Sequence, residues 1–332
     1  MILRFFKPLS GIWENKTKQF LADLGLRLAD GLDFTVLAIE GERMIATGSR
    51  QGSVIKCLGV VPDYQGGGLA AAIMTELVKE AHEEGIYHLF VYTSPQNIVL
   101  LRSLGFYEIA LTNRVALLEN RRDGIRNFIE SERSSDANGH ISCIVANCNP
   151  FTNGHLYLAD YAARHSDFVY FFVLSEDKSL FSADMRLSLA RENLRHLPNV
   201  HVCPTGGYLV SSATFPDYFL KENIDPEQVY YDLDITVFGK FFTQMLGIHT
   251  RFVGTEPVDA VTKGYNEQMK LLLPQYGVTL KEIPRYTVGN TVVSASTVRR
   301  LMCERQLNKI KELVPCATYF EIERRYDEKS ER

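Results

Sequence analysis

The stretch ISCIVANCNPFTNGH, residues 141–155, decides how the second half of this chain folds. Residues 141–146 form a short apolar run that predicts a buried strand, and residues 156–163 have the apolar spacing of a helix. Between them lies a tight loop that ends in Gly154 and His155. A glycine-containing loop at a helix N-terminus offers N–H groups and the positive end of the helix dipole to an anion. The stretch therefore predicts a phosphate-binding loop.

The segments after this loop alternate between predicted strands and helices. This alternation predicts a parallel sheet with helices on both faces and a ligand at the carboxyl ends of the strands. The predicted strands are 168–174, 200–203, 229–237 and 249–253; the predicted helices include 185–194 and a long helical pattern from Ser294 to about Leu313.

The first part of the chain has its own alternation of strands and helices, with a strong amphipathic helix from Leu69 to about Glu84. Residues 119–140 are polar and charged and predict a short exposed helix followed by a linker. We therefore expect two α/β domains, 1–135 and 136–332, as the length of 332 residues allows.

Composition excludes several classes of protein. Apolar residues make up 45% of the chain and charged residues 23%, as in ordinary globular proteins. The net charge of −4 argues against a nucleic-acid partner. The six cysteines lack metal-site spacing, which predicts reduced thiols and no metal site. With neither a signal-like N-terminus nor an apolar run of membrane-spanning length, we expect a cytoplasmic protein with no membrane partner.

A second phosphate-type motif lies near the C-terminus. VSASTVR at 293–299 precedes a helical pattern, so its hydroxyls, the helix N–H groups and the Arg299 guanidinium would converge where outer phosphates lie. Serines at a helix start are most often N-caps, which is the simpler interpretation. Two such motifs in order are much less common by chance than either alone, and they favour nucleotide binding.

These motifs resemble known signatures. TNGH at 152–155 resembles the loop of the HxGH nucleotidyltransferase superfamily, with Thr152 at the first histidine position, and SASTVR at 294–299 resembles its I-S-x-T/S-x-x-R signature. The second domain is also similar to the [citrate (pro-3S)-lyase] ligases, the citrate lyase synthetases. The similar segments are NPFTNGH (149–155), SATFPDYFLK (212–221), VFGK (237–240), VGTEP (253–257) and SASTVR (294–299).

The resemblance implies a Rossmann-like nucleotidyltransferase domain and an acid–thiol ligase. Acetate would attack the α-phosphate of ATP, pyrophosphate would leave, and the acetyl group of acetyl-adenylate would pass to a thiol. That thiol belongs to the dephospho-CoA-derived prosthetic group on the acyl-carrier subunit of citrate lyase. ATP is then a substrate and Mg²⁺ neutralises its phosphates.

Residue roles follow from this chemistry as hypotheses. His155 would contact the α- and β-phosphates, Thr152 the triphosphate, and Arg299 the β- and γ-phosphates. The further candidates for nucleotide binding are Asn149, Phe151, Gly154, Gly254, Thr255, Ser294, Ser296, Lys221 and Lys240.

In the first domain, QGGGLA at 65–70 resembles the pyrophosphate-binding loop of GNAT-type acetyltransferases and lies between a predicted strand and helix. Leu101 stands where many active members have a tyrosine that protonates the leaving thiolate. The resemblance therefore implies a GNAT-like fold that binds the CoA-like prosthetic arm. The candidate contacts are Gln65, Gly66, Gly67, Gly68, Ala70 and Asn97.

Two alternatives remain open from sequence. The first is a coenzyme-forming adenylyl- or cytidylyltransferase with a regulatory first domain, whose product would retain the nucleotide. The second is an acetyl-CoA-responsive binding module without catalysis, which ATP would not stabilise thermally.

Overall fold

The structure, a computed structural model, describes residues 1–175, 179–211, 215–220, 224–256, 259–289 and 291–330, with the side chains of 327–330 excluded. The chain divides into two compact units, Met1–Gly124 with Phe215–Thr236, and Ile125–Thr214 with Val237–Arg332.

The division at Gly124 differs from the expected boundary at 135/136 because the predicted exposed helix has a buried face. Ile125 and Ile129 are 4% and 1% exposed, and the Phe128 ring packs 5.3 Å from Tyr208. This helix therefore packs with the second unit.

The first unit is a mixed α/β fold. Within the described residues its sheet has the order β1-β2-β3-β4-β5-β7-β6, antiparallel except between β4 and β5. The strands are β1 (Ile2–Phe6), β2 (Phe34–Glu40), β3 (Arg43–Gln51), β4 (Val54–Val60), β5 (Phe90–Thr93), β6 (Tyr107–Leu111) and β7 (Ala116–Glu119); the helices are α1 (Gly11–Asp23), α2 (Leu69–Glu83) and α3 (Ile98–Ser103).

β4 and β5 pair in parallel only through Val54 with Phe90 and Ile55 with Val91. Beyond Ile55 the two strands separate, which leaves an opening in the sheet at the end where the glycine loop of residues 65–68 leads into α2.

The second unit contains a parallel sheet with the order β10-β9-β8-β11-β12 among the described residues. Its strands are β8 (Ile141–Ala146), β9 (Phe168–Val173), β10 (Val200–Pro204), β11 (Ile248–Gly254) and β12 (Thr279–Ile283), with a small hairpin of β13 (Thr287–Val288) and β14 (Thr291–Val292). The helices from Gly124 onward are α4 (Gly124–Ser131), α5 (Asn153–Arg164), α6 (Ala183–Leu194), α7 (Pro226–Val237), α8 (Gln244–Leu246), α9 (Ala260–Leu272), α10 (Ala295–Cys303), α11 (Leu307–Ile310) and α12 (Cys316–Ser330). Of these, α7 belongs to the first unit up to Thr236.

This strand order creates a topological switch point between β8 and β11. From β8 the chain builds outward to β9 and β10, and then it returns to the other side for β11 and β12. The crevice outside the carboxyl ends of two such strands is where open α/β sheets bind ligands. The predicted phosphate loop follows β8 directly.

The predicted parallel sheet is confirmed, and the burial of its strands explains their continuous apolar runs. All six residues of β9 are buried, as expected of a strand with helices on both faces. The core beneath the site includes Ile144, Phe171 and Val298.

Two sequence predictions were wrong. The predicted strand 229–237 is the helix α7, which has Pro226 at its first position. Val229 and Leu233 are both buried, a spacing of four residues that fits a helix despite the β-branched and aromatic content. The long helical pattern after Ser294 is interrupted after Cys303, where Arg305 has a positive φ of 54°.

Among the described residues, no helix combines the length and the apolar character needed to cross a membrane.

Candidate active site

The phosphate loop lies at the carboxyl end of β8 and leads into the first turn of α5. Thr152 is the N-cap of α5 and has extended backbone geometry (φ −125°, ψ 167°). His155 therefore projects from the first turn of a twelve-residue helix. This end of the helix carries the positive end of the dipole, so the position suits a phosphate.

Contacts with Thr152 fix the tautomer of His155. The Thr152 N–H donates to His155 Nδ1 at 3.0 Å, and the Thr152 hydroxyl lies 2.9 Å from the same nitrogen. Because Nδ1 accepts these hydrogen bonds, the neutral ring carries its proton on Nε2. His155 is thus a neutral donor at its outer nitrogen.

Burial, followed by the nearby charge of Arg285, lowers the pKa of His155 from 6.5 to about 4. The imidazole is therefore uncharged at neutral pH, and it would offer a bound phosphate a hydrogen bond rather than a charge.

Thr152 lies buried beside His155. Its side chain is 1% exposed and its hydroxyl is directed to His155. The Thr152 hydroxyl therefore contacts the His155 ring from the buried side, and its contact with a triphosphate stays a prediction.

Arg299 connects the two predicted motifs. One guanidinium N–H donates to the carbonyl oxygen of Asn149 in the loop at 2.5 Å, and another donates to the Ser296 hydroxyl at 3.0 Å. The structure thus brings the two segments, 150 residues apart in sequence, to one place. Arg299 is half-buried, and a guanidinium has five N–H donors, so these two contacts leave others for a phosphate.

Gly154 is where these segments pack most closely. A Cβ added at Gly154 would lie 3.2 Å from the Val293 carbonyl oxygen and 3.4 Å from the Thr152 hydroxyl. The C-terminal region also holds the loop, since Asn153 N–H donates to the Leu313 carbonyl at 2.9 Å.

Two other residues of the predicted set, Ser294 and Phe151, make contacts within the protein. The hydroxyl of Ser294 accepts the Thr297 N–H at 3.1 Å and caps α10, which was the simpler interpretation of this serine. Phe151 is fully buried, with its ring 5.4 Å from that of His155. Phe151 therefore supports the loop from the core, and its side chain is not a surface for a nucleotide.

Buried polar contacts hold the loop from beneath. The side chain of Asn149 accepts the Phe181 N–H at 3.2 Å. The fully buried Arg186 donates to the carbonyl oxygens of Asn147 at 2.8 Å and Leu174 at 2.7 Å. Arg186 thereby fixes the carboxyl ends of β8 and β9 together.

Across the switch point, Gly254 ends β11 and Thr255 follows it. The Thr255 N–H donates to the Ile283 carbonyl at 2.9 Å. The side-chain amide of Asn266 donates to the Gly254 carbonyl at 3.2 Å. Among the described residues, a Cβ added at Gly254 would meet Arg285 at 3.6 Å, which is ordinary van der Waals contact.

Arg285 is a site residue that the sequence analysis missed. It follows β12, donates through Nε to the Thr255 carbonyl at 2.7 Å, and forms an ion pair with Glu256. Its charge acts on His155, which places it beside the phosphate loop. It lies two residues after β12, and no sequence motif marks it.

Of the two candidate lysines, the structure describes one. Lys240 is exposed in the π-helical stretch Phe238–Thr243, and within the described part of the chain it makes no contact with His155 or Arg299. Lys221 lies outside the described residues.

The first unit contains a separate cavity of about 1710 Å³. It lies where β4 and β5 separate, beside Gly66 and Gly68, whose φ values of 80° and 79° require glycine. The other candidate contacts that line it are Gln65, Ala70 and Asn97, whereas Gly67 is not among the lining residues.

Leu101 lines this cavity and is 2% exposed. A hydrocarbon side chain, which cannot protonate a leaving thiolate, therefore lines the cavity at this position. The cavity also includes Tyr218, whose hydroxyl donates to the Tyr92 carbonyl at 3.2 Å; burial raises the pKa of Tyr218.

Comparison with known proteins agrees with both halves of this description. Residues 141–321 match the model of the citrate lyase ligase C-terminal domain, and residues 13–108 match that of the acetyltransferase (GNAT) family.

Two curated relatives that match over most of the chain carry the same name. The [citrate [pro-3S]-lyase] ligase of Haemophilus influenzae is 36% identical over 309 residues, which cover 90% of this chain and 92% of the relative. That of Escherichia coli is 35% identical over 307 residues, with coverage of 90% and 87%. Among solved structures, Thermotoga maritima TmcAL bound with alpha-thio ATP is 15% identical, covers 57% of this chain and 56% of its own, and has a TM-score of 0.35.

The fold and these matches together define an α/β ligase with a GNAT-like first domain and a nucleotidyltransferase-like second domain. The chain belongs to the [citrate [pro-3S]-lyase] ligase family and is an enzyme of that class.

Proposed function

We propose that this enzyme uses ATP and acetate to acetylate the thiol of a CoA-like prosthetic group on the acyl-carrier subunit of citrate lyase. An acetate oxygen attacks the α-phosphorus, and the bond to pyrophosphate breaks. The thiolate then attacks the acetyl carbon of the adenylate and releases AMP. The observation that supports this most directly is the contact of Arg299 with Asn149, which joins both phosphate motifs.

The side chains of His155 and Arg299 would stabilise the transition state of this reaction. Negative charge grows on the α-phosphate and on the leaving pyrophosphate, so fixed donors there stabilise the transition state. His155 would donate from Nε2 to the α/β region, and Arg299 would hold the outer phosphates. Acetate is already ionised, so no protein nucleophile is required.

The side chains near the two motifs suit Mg²⁺ that binds together with ATP. The side chains placed here are an imidazole, hydroxyls and guanidinium groups, and the adjacent carboxylate, Glu256, is paired with Arg285. Such a set binds phosphate oxygens, whereas Mg²⁺ keeps water and phosphate ligands. When bound, the ion would neutralise charge on the triphosphate.

Pyrophosphate release that depends on both acetate and ATP tests the first half of the proposal. His155→Ala and Arg299→Ala should both lose it, whereas Arg300→Ala, an exposed neighbour paired with Glu304 at 2.9 Å, should keep it. Release with a phosphorylated acceptor in place of acetate would favour the coenzyme-forming alternative. Normal acetyl-adenylate formation by both site variants would refute the roles given to these residues.

We also propose that the first unit binds the prosthetic arm and presents its thiol. The cavity with its glycine loop supports binding of a pyrophosphate-containing arm, and Leu101 argues against independent acetyl-CoA chemistry. Residues 1–135 would be the domain concerned. Because 215–236 also pack with this unit, point substitutions test it more cleanly than deletion.

Ala70→Trp would fill the cavity beside the glycine loop. It should spare acetyl-adenylate formation and impair acetyl transfer to the carrier. Lys79→Trp, at an exposed position later in α2 that does not line this cavity, is the control. Normal transfer by a folded Ala70→Trp enzyme would contradict the role of the cavity.

A further inference from the structure

A second cluster of titratable side chains lies on the outer strand of the parallel sheet, at β10. His201 and Cys203 are two residues apart on this strand, so their side chains share one face. Glu132 follows the last residue of α4. One ligand atom from each of Glu132, His201 and Cys203 lies within 4.8 Å of the others. Sequence spacing gave no sign of this cluster, because Glu132 is about seventy residues away from its partners.

We propose that Glu132, His201 and Cys203 form a binding site for a divalent d-block cation, for which Zn²⁺ is the best fit. Sulfur, imidazole nitrogen and carboxylate oxygen together are a zinc donor set, whereas Mg²⁺ and Ca²⁺ prefer oxygen alone. Zinc bonds of about 2.0–2.3 Å in a tetrahedron set ligand atoms about 3.5 Å apart. A cluster within 4.8 Å reaches that spacing by small side-chain movements. Three protein ligands leave the fourth position to water.

Metal binding would exchange a proton for the cation. Binding of Zn²⁺ would form the Zn–S bond and release the thiol proton of Cys203 to water. The imidazole of His201 and the carboxyl group of Glu132 would supply the other two ligand atoms.

The surroundings both orient and oppose the ion. The ring of His201 lies 5.8 Å from that of Tyr170, edge to face, which limits its rotation. Arg191 acts electrostatically on all three cluster residues, and Asp136 acts on His201 with the opposite sign. The positive charge of Arg191 would oppose the binding of a dication. The ion would tie the end of α4 to the edge strand β10 and so help to cover that edge of the sheet.

The test uses the full chain, with Zn²⁺ and Co²⁺ added as simple salts after treatment with a chelator. We expect one ion per chain by elemental analysis, a thiolate-to-cobalt charge-transfer band with Co²⁺, and a higher melting temperature with Zn²⁺. Cys203→Ser and Glu132→Gln should weaken binding by about 100-fold or more, beyond what loss of an outer-shell contact costs.

Matched controls and a second variant keep the result interpretable. Cys303→Ser and Cys316→Ser replace exposed thiols and should leave binding unchanged. His201→Gln changes a partly exposed side chain and serves if Cys203→Ser does not fold. Arg191→Gln should tighten binding, which a merely structural cluster would not do. A chain that binds no ion, or binds it equally well in all these variants, overturns the proposal.

Discussion

Replacement of Arg299 by alanine tests the junction between the two phosphate motifs. The change removes a charge-assisted hydrogen bond of 2.5 Å to the Asn149 carbonyl, worth about 1.5–3 kcal/mol. It also removes a more exposed bond of 3.0 Å to Ser296, worth about 0.5 kcal/mol. After allowance for solvent at this half-buried side chain, we expect the free energy of unfolding to fall by about 2 kcal/mol. The protein should still fold.

The effect on activity should be larger than the effect on stability. Arg299 would meet charge that grows on the departing pyrophosphate, and loss of one fixed donor at such a position costs about 10²–10³ in kcat. The assay is acetate-dependent pyrophosphate release at saturating ATP, run beside urea unfolding. Arg299→Lys keeps the charge but cannot span both acceptors, so we expect an intermediate rate.

Arg300→Ala is the matched control, because an exposed i,i+4 ion pair contributes only about 0.3–0.5 kcal/mol. A folded Arg299→Ala enzyme with pyrophosphate release within about threefold of wild type would refute the reasoning, since a transition-state donor is worth far more.

Three further predictions concern the same protein. Because the pKa of His155 is about 4 in the fold and 6.5 ordinarily, its neutral form contributes stability above about pH 6.5 that is lost as pH falls to 4; urea unfolding should show a loss of about 2 kcal/mol over this range, and His155→Gln should lack it. Gly154→Ala should destabilise the fold by about 1–3 kcal/mol, because its Cβ meets the Val293 carbonyl at 3.2 Å; thermal unfolding checks this, and an unchanged melting temperature would contradict it. Gly254→Ala has room for its Cβ, so it should melt normally and weaken ATP binding in calorimetry; unchanged ATP affinity would remove this glycine from the site.

Local patterns predicted the framework of the second unit well. The apolar runs at β8 and β9 and the helical spacing of α5 are strong periodic signals, and all three elements are where we expected them. The α7 segment misled because Val229, Tyr230 and Tyr231 are common in strands. Its helical packing depends on which neighbours bury those side chains, and local propensity does not contain that information.

The sequence predicted which residues lie near the site better than it predicted their individual contacts. Thr152 and Phe151 both lie in the loop. The Thr152 hydroxyl contacts His155, whereas the Phe151 side chain is buried in the core. Arg285 went unnoticed because a single arginine after a strand has no motif. Its importance comes from the pairing of β11 with β12, which places it beside Gly254.

The sequence by itself determined that this chain has a glycine-containing loop after a buried strand, a second serine–arginine motif, and a glycine loop in an acetyltransferase-like first domain. Such features are local, since a few consecutive residues set the turn, the cap and the helix dipole. Only the tertiary structure decided which groups meet. It brought Arg299 to the Asn149 carbonyl, fixed the tautomer of His155, added Arg285 and gathered Glu132 with His201 and Cys203. These contacts join residues far apart in sequence, and the parallel sheet brings them together by placing the ends of distant strands side by side.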